Sequence, residues 1–137
     1  MTTARDIMTP SPVCAGENEN LIDVAKKLRD EGVGALPICG EDNRLKGMVT
    51  DRDIVVECLA KDLDPATTTA GQLGDGKPVT IGADDSVEEA LATMSQHKVR
   101  RLPVIDGHDL VGMVSLADVA RSLPEEKVGE LTEAISS

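Results

Sequence analysis

Gly47-Met48-Val49-Thr50-Asp51-Arg52-Asp53 and Gly112-Met113-Val114-Ser115-Leu116-Ala117-Asp118 are two copies of one pattern: a glycine, two apolar residues, a hydroxyl residue, and an aspartate three positions after it. An apolar run that ends in this way reads as a strand turning into a helix, with the hydroxyl capping the first turn. Outward from these stretches the duplication continues. Thr3-Ala4-Arg5-Asp6-Ile7 is echoed by Thr69-Ala70-Gly71-Gln72-Leu73, and Pro12-Val13 by Pro78-Val79. Val33 through Ile38 returns as Val99 through Val104, and Leu45 through Thr50 as Leu110 through Ser115, with one residue deleted in the polar turn between these last blocks. Self-similarity on this scale marks a repeated supersecondary unit.

Further capping pairs, Asn20 with Asp23 and Ser86 with Glu89, open helices whose apolar stripes are Leu21, Val24, Ala25, Leu28 and Val87, Ala90, Leu91, Met94. Leu36-Pro37-Ile38-Cys39 and Leu102-Pro103-Val104-Ile105 are short apolar runs, each followed by a turn and a second run, which predicts a hairpin. Each copy then reads αβαββα: its first strand, near Val13 or Val79, is parallel to the second across a helix, and the third is antiparallel. The fold class is α/β (α+β), two small three-stranded sheets packed with helices in a pseudo-two-fold arrangement, since a single copy leaves apolar surface uncovered. The expected boundaries are 1–60 and 69–123 for the two copies, 61–68 for a linker, and 124–137 for an acidic tail with a weak terminal helix.

Composition narrows the function classes. At 137 residues, with 40% hydrophobic content and no apolar run of membrane-spanning length or signal-peptide character, the chain reads as a soluble cytoplasmic protein with no membrane partner. A formal net charge of -11 and the absence of Phe, Tyr and Trp disfavour nucleic acid, which asks for positive charge and stacking rings. Cys14, Cys39 and Cys58 lack zinc-ligand spacing, and His97 and His108 are isolated, so no metal is expected. No nucleophile with a base and no carboxylate pair of catalytic character is evident, so the chain is not read as an enzyme.

The paired hydroxyl-and-aspartate motifs, the two Leu-Pro-apolar strands and the duplication together resemble a tandem pair of cystathionine beta-synthase (CBS) domains, a Bateman module, over about Thr3 to Leu123. The Ala-Arg-Asp-Ile-Met opening, Gly-Ala-Leu-Pro-Ile-Cys-Gly and Thr-Asp-Arg-Asp-Ile-Val are similar to small stand-alone two-CBS proteins of actinobacteria. Thr50 and Ser115 place a hydroxyl and unsatisfied N–H groups at a helix start, which suits a phosphate. Asp53 and Asp118 are placed to accept from a ribose diol. The resemblance implies the same division of roles and a binding site between the two CBS domains. Adenine would rest among Leu36, Ile38, Leu102 and Val104, its edge read by backbone near Cys14 and Thr80, and the resemblance adds Arg100 and Arg101 as phosphate contacts. The bland reading of both motifs, plain capping boxes, stays open.

The function expected is that of a regulatory module with no required cofactor. It would bind AMP, ADP, ATP or another adenosine derivative and signal to an unidentified protein partner. The alternative is a ligand-free interaction scaffold. Exposed helix faces with Ile54, Val55, Leu59 and Val119 point to a homodimer. Cys14 and Cys39, on strands expected to be parallel neighbours, are expected to lie close, with a disulfide left open.

Overall fold

The computed structural model describes residues 2–74 and 78–123; the expected tail at 124–137 lies outside them. In chain order the elements are α1 (Ala4–Ile7), β1 (Thr9–Pro10), β2 (Ala15–Gly16), α2 (Leu21–Glu31), β3 (Ala35–Cys39), β4 (Leu45–Thr50), α3 (Asp51–Asp53), α4 (Ala70–Leu73), β5 (Ile81–Gly82), α5 (Val87–His97), β6 (Arg101–Asp106), β7 (Asp109–Ser115) and α6 (Leu116–Ala120). After α3 the chain runs on as a π-helical turn, Ile54–Cys58, and a 3₁₀ turn, Leu59–Lys61. Ile54, Val55 and Val56 are consecutive β-branched residues, whose stiff side chains crowd a regular helix, and the helix widens there.

Two compact units form. The contiguous unit is Val13–Pro78; the discontinuous unit joins the opening segment through Pro12 to the chain from Val79 onward. The contiguous unit holds a three-stranded sheet, β2-β3-β4, with β2 parallel and β4 antiparallel to β3. In the discontinuous unit β5 is parallel and β7 antiparallel to β6. There β1 adds a fourth, edge strand that pairs Thr9 with Met113 and Pro10 with Gly112. The sequence reading did not contain this strand. Pro10 lacks an N–H and fits only such an edge.

The compact units and the sequence repeats divide the chain differently, because the opening segment of each repeat packs on the other repeat's sheet. The Ala4 and Arg5 amides donate to the Asp85 and Ala83 carbonyls at 2.8 and 2.9 Å. Correspondingly, the Ala70 and Gly71 amides donate to the Glu19 and Glu17 carbonyls, both at 2.9 Å. Bridges from Thr3 to Ser86 and from Thr69 to Asn20 seal the two crossings. Ala4 is fully buried among Ile81, Val87, Met94, Leu102 and Val114, and Ala70 among Leu21, Val24, Ile38 and Val49. With no aromatic ring available, both cores are filled by aliphatic side chains, joined by Met94 in the discontinuous unit and by Cys58 in the contiguous one.

This exchange accounts for the glycine in each quoted motif. A Cβ on Gly112 would lie 2.8 Å from Met8 Cγ and 2.9 Å from the Thr9 carbonyl oxygen, and one on Gly47 would meet the Gly74 carbonyl. Only a hydrogen leaves room for the crossing segment.

Candidate functional site

Each motif places its aspartate by the same local logic. β4 ends at Thr50, whose side chain accepts from the Asp53 amide at 3.0 Å, while Asp53 Oδ2 accepts from the Thr50 amide at 3.0 Å. At the end of β7 the Ser115 hydroxyl accepts from the Asp118 amide at 3.2 Å, and Asp118 Oδ2 accepts from the Ser115 amide at 2.8 Å. Both are complete capping boxes. Capping alone uses one carboxylate oxygen of each aspartate, and the second oxygens differ. Asp118, only 7% exposed, gives Oδ1 to the Arg121 guanidinium. Asp53 is half-buried and lines an open cavity of about 760 Å³.

That cavity lies wholly in the contiguous unit, between the helical turns after Asp53 and the segment leading into α4. Glu57, Lys61, Asp64 and Gln72 supply polar groups to it, and Leu63 and Leu73 apolar ones. Lys61 is ion-paired with Glu57. Thr68 is buried, and its hydroxyl donates to the Asp64 carbonyl at 2.8 Å. Sequence reasoning treated Lys61 to Thr68 as a linker and so missed these residues. The Thr67-Thr68-Thr69 run beside Asp64-Pro65, dense in turn-forming side chains, was the available signal.

Several other expected site residues fall elsewhere. Leu36, Ile38, Leu102 and Val104 are core residues: the first pair belongs to the contiguous unit's core and the second to the other's. Residues two apart on a strand share one face, and here that face is the core, so these four leave no surface for adenine. Arg100 and Arg101 are both exposed; Arg101 opens β6 opposite Ser115, and the Arg100 carbonyl accepts from the Leu116 amide at 2.8 Å. Thr80 is half-buried just ahead of β5. Cys14 is disulfide-bonded to Cys39, with Cα atoms 5.8 Å apart, clasping the chain just ahead of β2 to the end of β3. Lys27 Nζ donates to the Cys14 carbonyl at 2.9 Å and to Glu19 at 2.8 Å. Cys58 is a buried free thiol.

The fold and the paired boxes define a tandem α/β repeat, in which each strand-to-helix junction that carries the motif places an aspartate at a helix start. The chain belongs to the CBS-domain family, whose model matches residues 4–59 and 70–125. It is 51% identical over 137 residues to hypoxic response protein 1 of Mycobacterium tuberculosis (strain ATCC 25618 / H37Rv), covering 100% of this chain and 96% of that protein. Among solved structures it is similar to Hypoxic Response Protein I with two coordinated zinc ions (TM-score 0.83, 53% identity, covering 90% of this chain and 100% of the other). It is also similar to the CBS domain pair of protein MJ0100 in complex with 5′-methylthioadenosine and S-adenosyl-L-methionine (TM-score 0.76, 28% identity, 89% and 95% covered).

Among the described residues no group of three or more His, Cys, Asp or Glu is placed to hold a metal ion. Cys14 and Cys39 have their sulfurs committed to each other. No helix among the described residues is long and apolar enough to cross a membrane.

Proposed function

We propose that this protein is a regulatory module that binds an adenosine-containing compound and conveys its occupancy to a protein partner, with no chemistry of its own. The observation that carries the reading is Asp53, whose capping box uses Oδ2 and which lines a cavity large enough for a nucleoside. A ribose diol is a pair of donors that such a carboxylate accepts well. The crystallised MJ0100 pair, with its two adenosyl compounds, supports the ligand class.

The test exploits the composition. With no Phe, Tyr or Trp, the protein is nearly transparent where adenine absorbs, so a co-purifying adenosine compound appears directly in the ultraviolet spectrum and is identified by native mass spectrometry. Binding on addition of adenosine, AMP or 5′-methylthioadenosine, read by titration calorimetry, is the expected result. A chain that purifies empty and ignores all three is a scaffold, and the proposal fails.

A further inference from the structure

We infer that the cavity beside Asp53 takes an adenosine compound whose 5′ end is uncharged or cationic, and that it discriminates against 5′-phosphates; this rests on the binding reading above. Among the described residues that line it, the cavity has three carboxylates, on Asp53, Glu57 and Asp64, against one ammonium, on Lys61. That ammonium is already ion-paired with Glu57. The hydrogen-bonding inventory runs the same way. Gln72 gives its amide oxygen to the Thr69 amide at 2.8 Å and has its NH₂ left to donate. The Thr67 and Thr68 hydroxyls spend their protons on the Asp64 carbonyl, at 3.3 and 2.8 Å. The Thr50 amide at the helix start is taken by Asp53 itself. The cavity is therefore rich in acceptors and poor in donors, whereas a phosphate asks for guanidinium forks, ammonium groups or bare amides.

The other motif makes the contrast internal to the chain. There the aspartate is paired with Arg121, and Arg100 and Arg101 stand just before Leu102-Pro103, where the first repeat has Gly34 and Ala35. The duplicated boxes have thus diverged in charge, and the acidic one is the box that opens onto the cavity. A ligand that brings donors and no negative charge, such as a thioether or sulfonium nucleoside, matches it.

Amide resonances of Thr67 and Thr68 report this cavity specifically, so affinities are read there by NMR titration of the full chain with 5′-methylthioadenosine and with AMP. We expect AMP to bind at least about tenfold more weakly than 5′-methylthioadenosine. The double variant Glu57→Gln/Asp64→Asn, which frees Lys61 and keeps the Asp64 turn acceptor, is expected to narrow that ratio by raising AMP affinity. Equal affinities in the parent, or a preference unchanged in the folded variant, overturn the inference. Binding that shifts Ser115 and Asp118 but not Thr67 and Thr68 also overturns it, while the binding reading survives. If neither compound shifts any resonance, both fall.

Discussion

Placing a methyl group on Gly112 tests the exchanged opening segment directly. In Gly112→Ala the new Cβ meets Met8 Cγ at 2.8 Å and the Thr9 carbonyl oxygen at 2.9 Å, with Met8 Sδ closer still. Overpacking of this kind costs about 1–3 kcal/mol. Against it stands the roughly 0.5–1 kcal/mol by which alanine is favoured over glycine in a strand. The expected net loss is therefore about 1–2 kcal/mol, which lowers the melting temperature by several degrees for a chain of this size. Urea unfolding followed by far-UV circular dichroism is the assay, since the chain has no tryptophan or tyrosine to report fluorescence. Removing the Met8 side chain relieves the flexible part of the clash and leaves the Thr9 carbonyl. Combining Gly112→Ala with Met8→Ala should accordingly cost less than the two single losses added together, by about 1 kcal/mol. Gly47→Ala has no such relief, because the atoms it meets are all Gly74 backbone, and it is expected to lose about 3 kcal/mol. A Gly112→Ala chain as stable as the parent, or strict additivity with Met8→Ala, would refute the crossing of the Met8 segment over β7.

Asp53→Ala/Asp118→Ala should weaken adenosine-compound binding by about tenfold or more, since a hydrogen bond to a carboxylate is worth roughly 1.5–3 kcal/mol. Each lost cap removes about 1 kcal/mol of stability, and parent-like calorimetric binding would show that these carboxylates only cap helices. Thiol titration under denaturing conditions should find one thiol, Cys58, before reduction and three after; three beforehand would contradict the Cys14–Cys39 bridge. The bridge closes a loop of sequence separation 25, so Cys14→Ser/Cys39→Ser should lose about 3.5 kcal/mol by the loop-entropy estimate. Of the apolar residues expected on a dimer face, Val119 is buried in a core and Ile54 packs against one, while Val55 and Leu59 are 56% and 52% exposed and Ile22, not foreseen, is 41% exposed; sedimentation at micromolar concentration is expected to give a dimer that Val55→Asp/Leu59→Asp converts to monomer, and a monomeric parent would sink the idea. The Thr3 amide holds the Asp6 carboxyl below its ordinary range, and the Arg44 amide does the same for Asp42. A carboxyl lowered on folding stabilises above its unfolded pKa and loses that contribution as pH falls through the folded value, so carboxyl NMR titration should place both midpoints below the ordinary carboxylate range.

The capping pairs at Asn20, Thr50, Ser86 and Ser115 were legible because a cap is written in residues three apart. The parallel first strand and the hairpin followed from where helices and turns interrupt the apolar runs. The proximity of Cys14 and Cys39 followed from the strand order. The exchange of opening segments was not legible, since Thr3 through Ile7 and Thr69 through Leu73 have similar apolar faces that either sheet could bury. Its only trace was the pair of glycines, which read equally well as part of a motif. At both junctions the aspartate's place in its capping box was legible, yet the inequality of the two depends on the pairing of Arg121 with Asp118, which is set by the folded geometry. The expected adenine wall failed because period-two patterning identifies a buried strand face without saying whether core or ligand buries it.

The partition of the chain into one contiguous and one discontinuous unit sets an order on its synthesis. Val13–Pro78 is complete as soon as its last residues leave the ribosome, and it can close around its own sheet without waiting. The segment through Pro12 is made before that unit and yet has its place on β7, near the other end of the described chain. Until Ser115 has emerged, Ala4 and Met8 have no core to enter, and joining them to β7 closes a loop that contains the whole contiguous unit. The residues of α1 and β1 are thus made before the contiguous unit and packed after it, and a chain stalled before β7 would carry a finished acidic cavity alongside an opening segment that has nowhere to go.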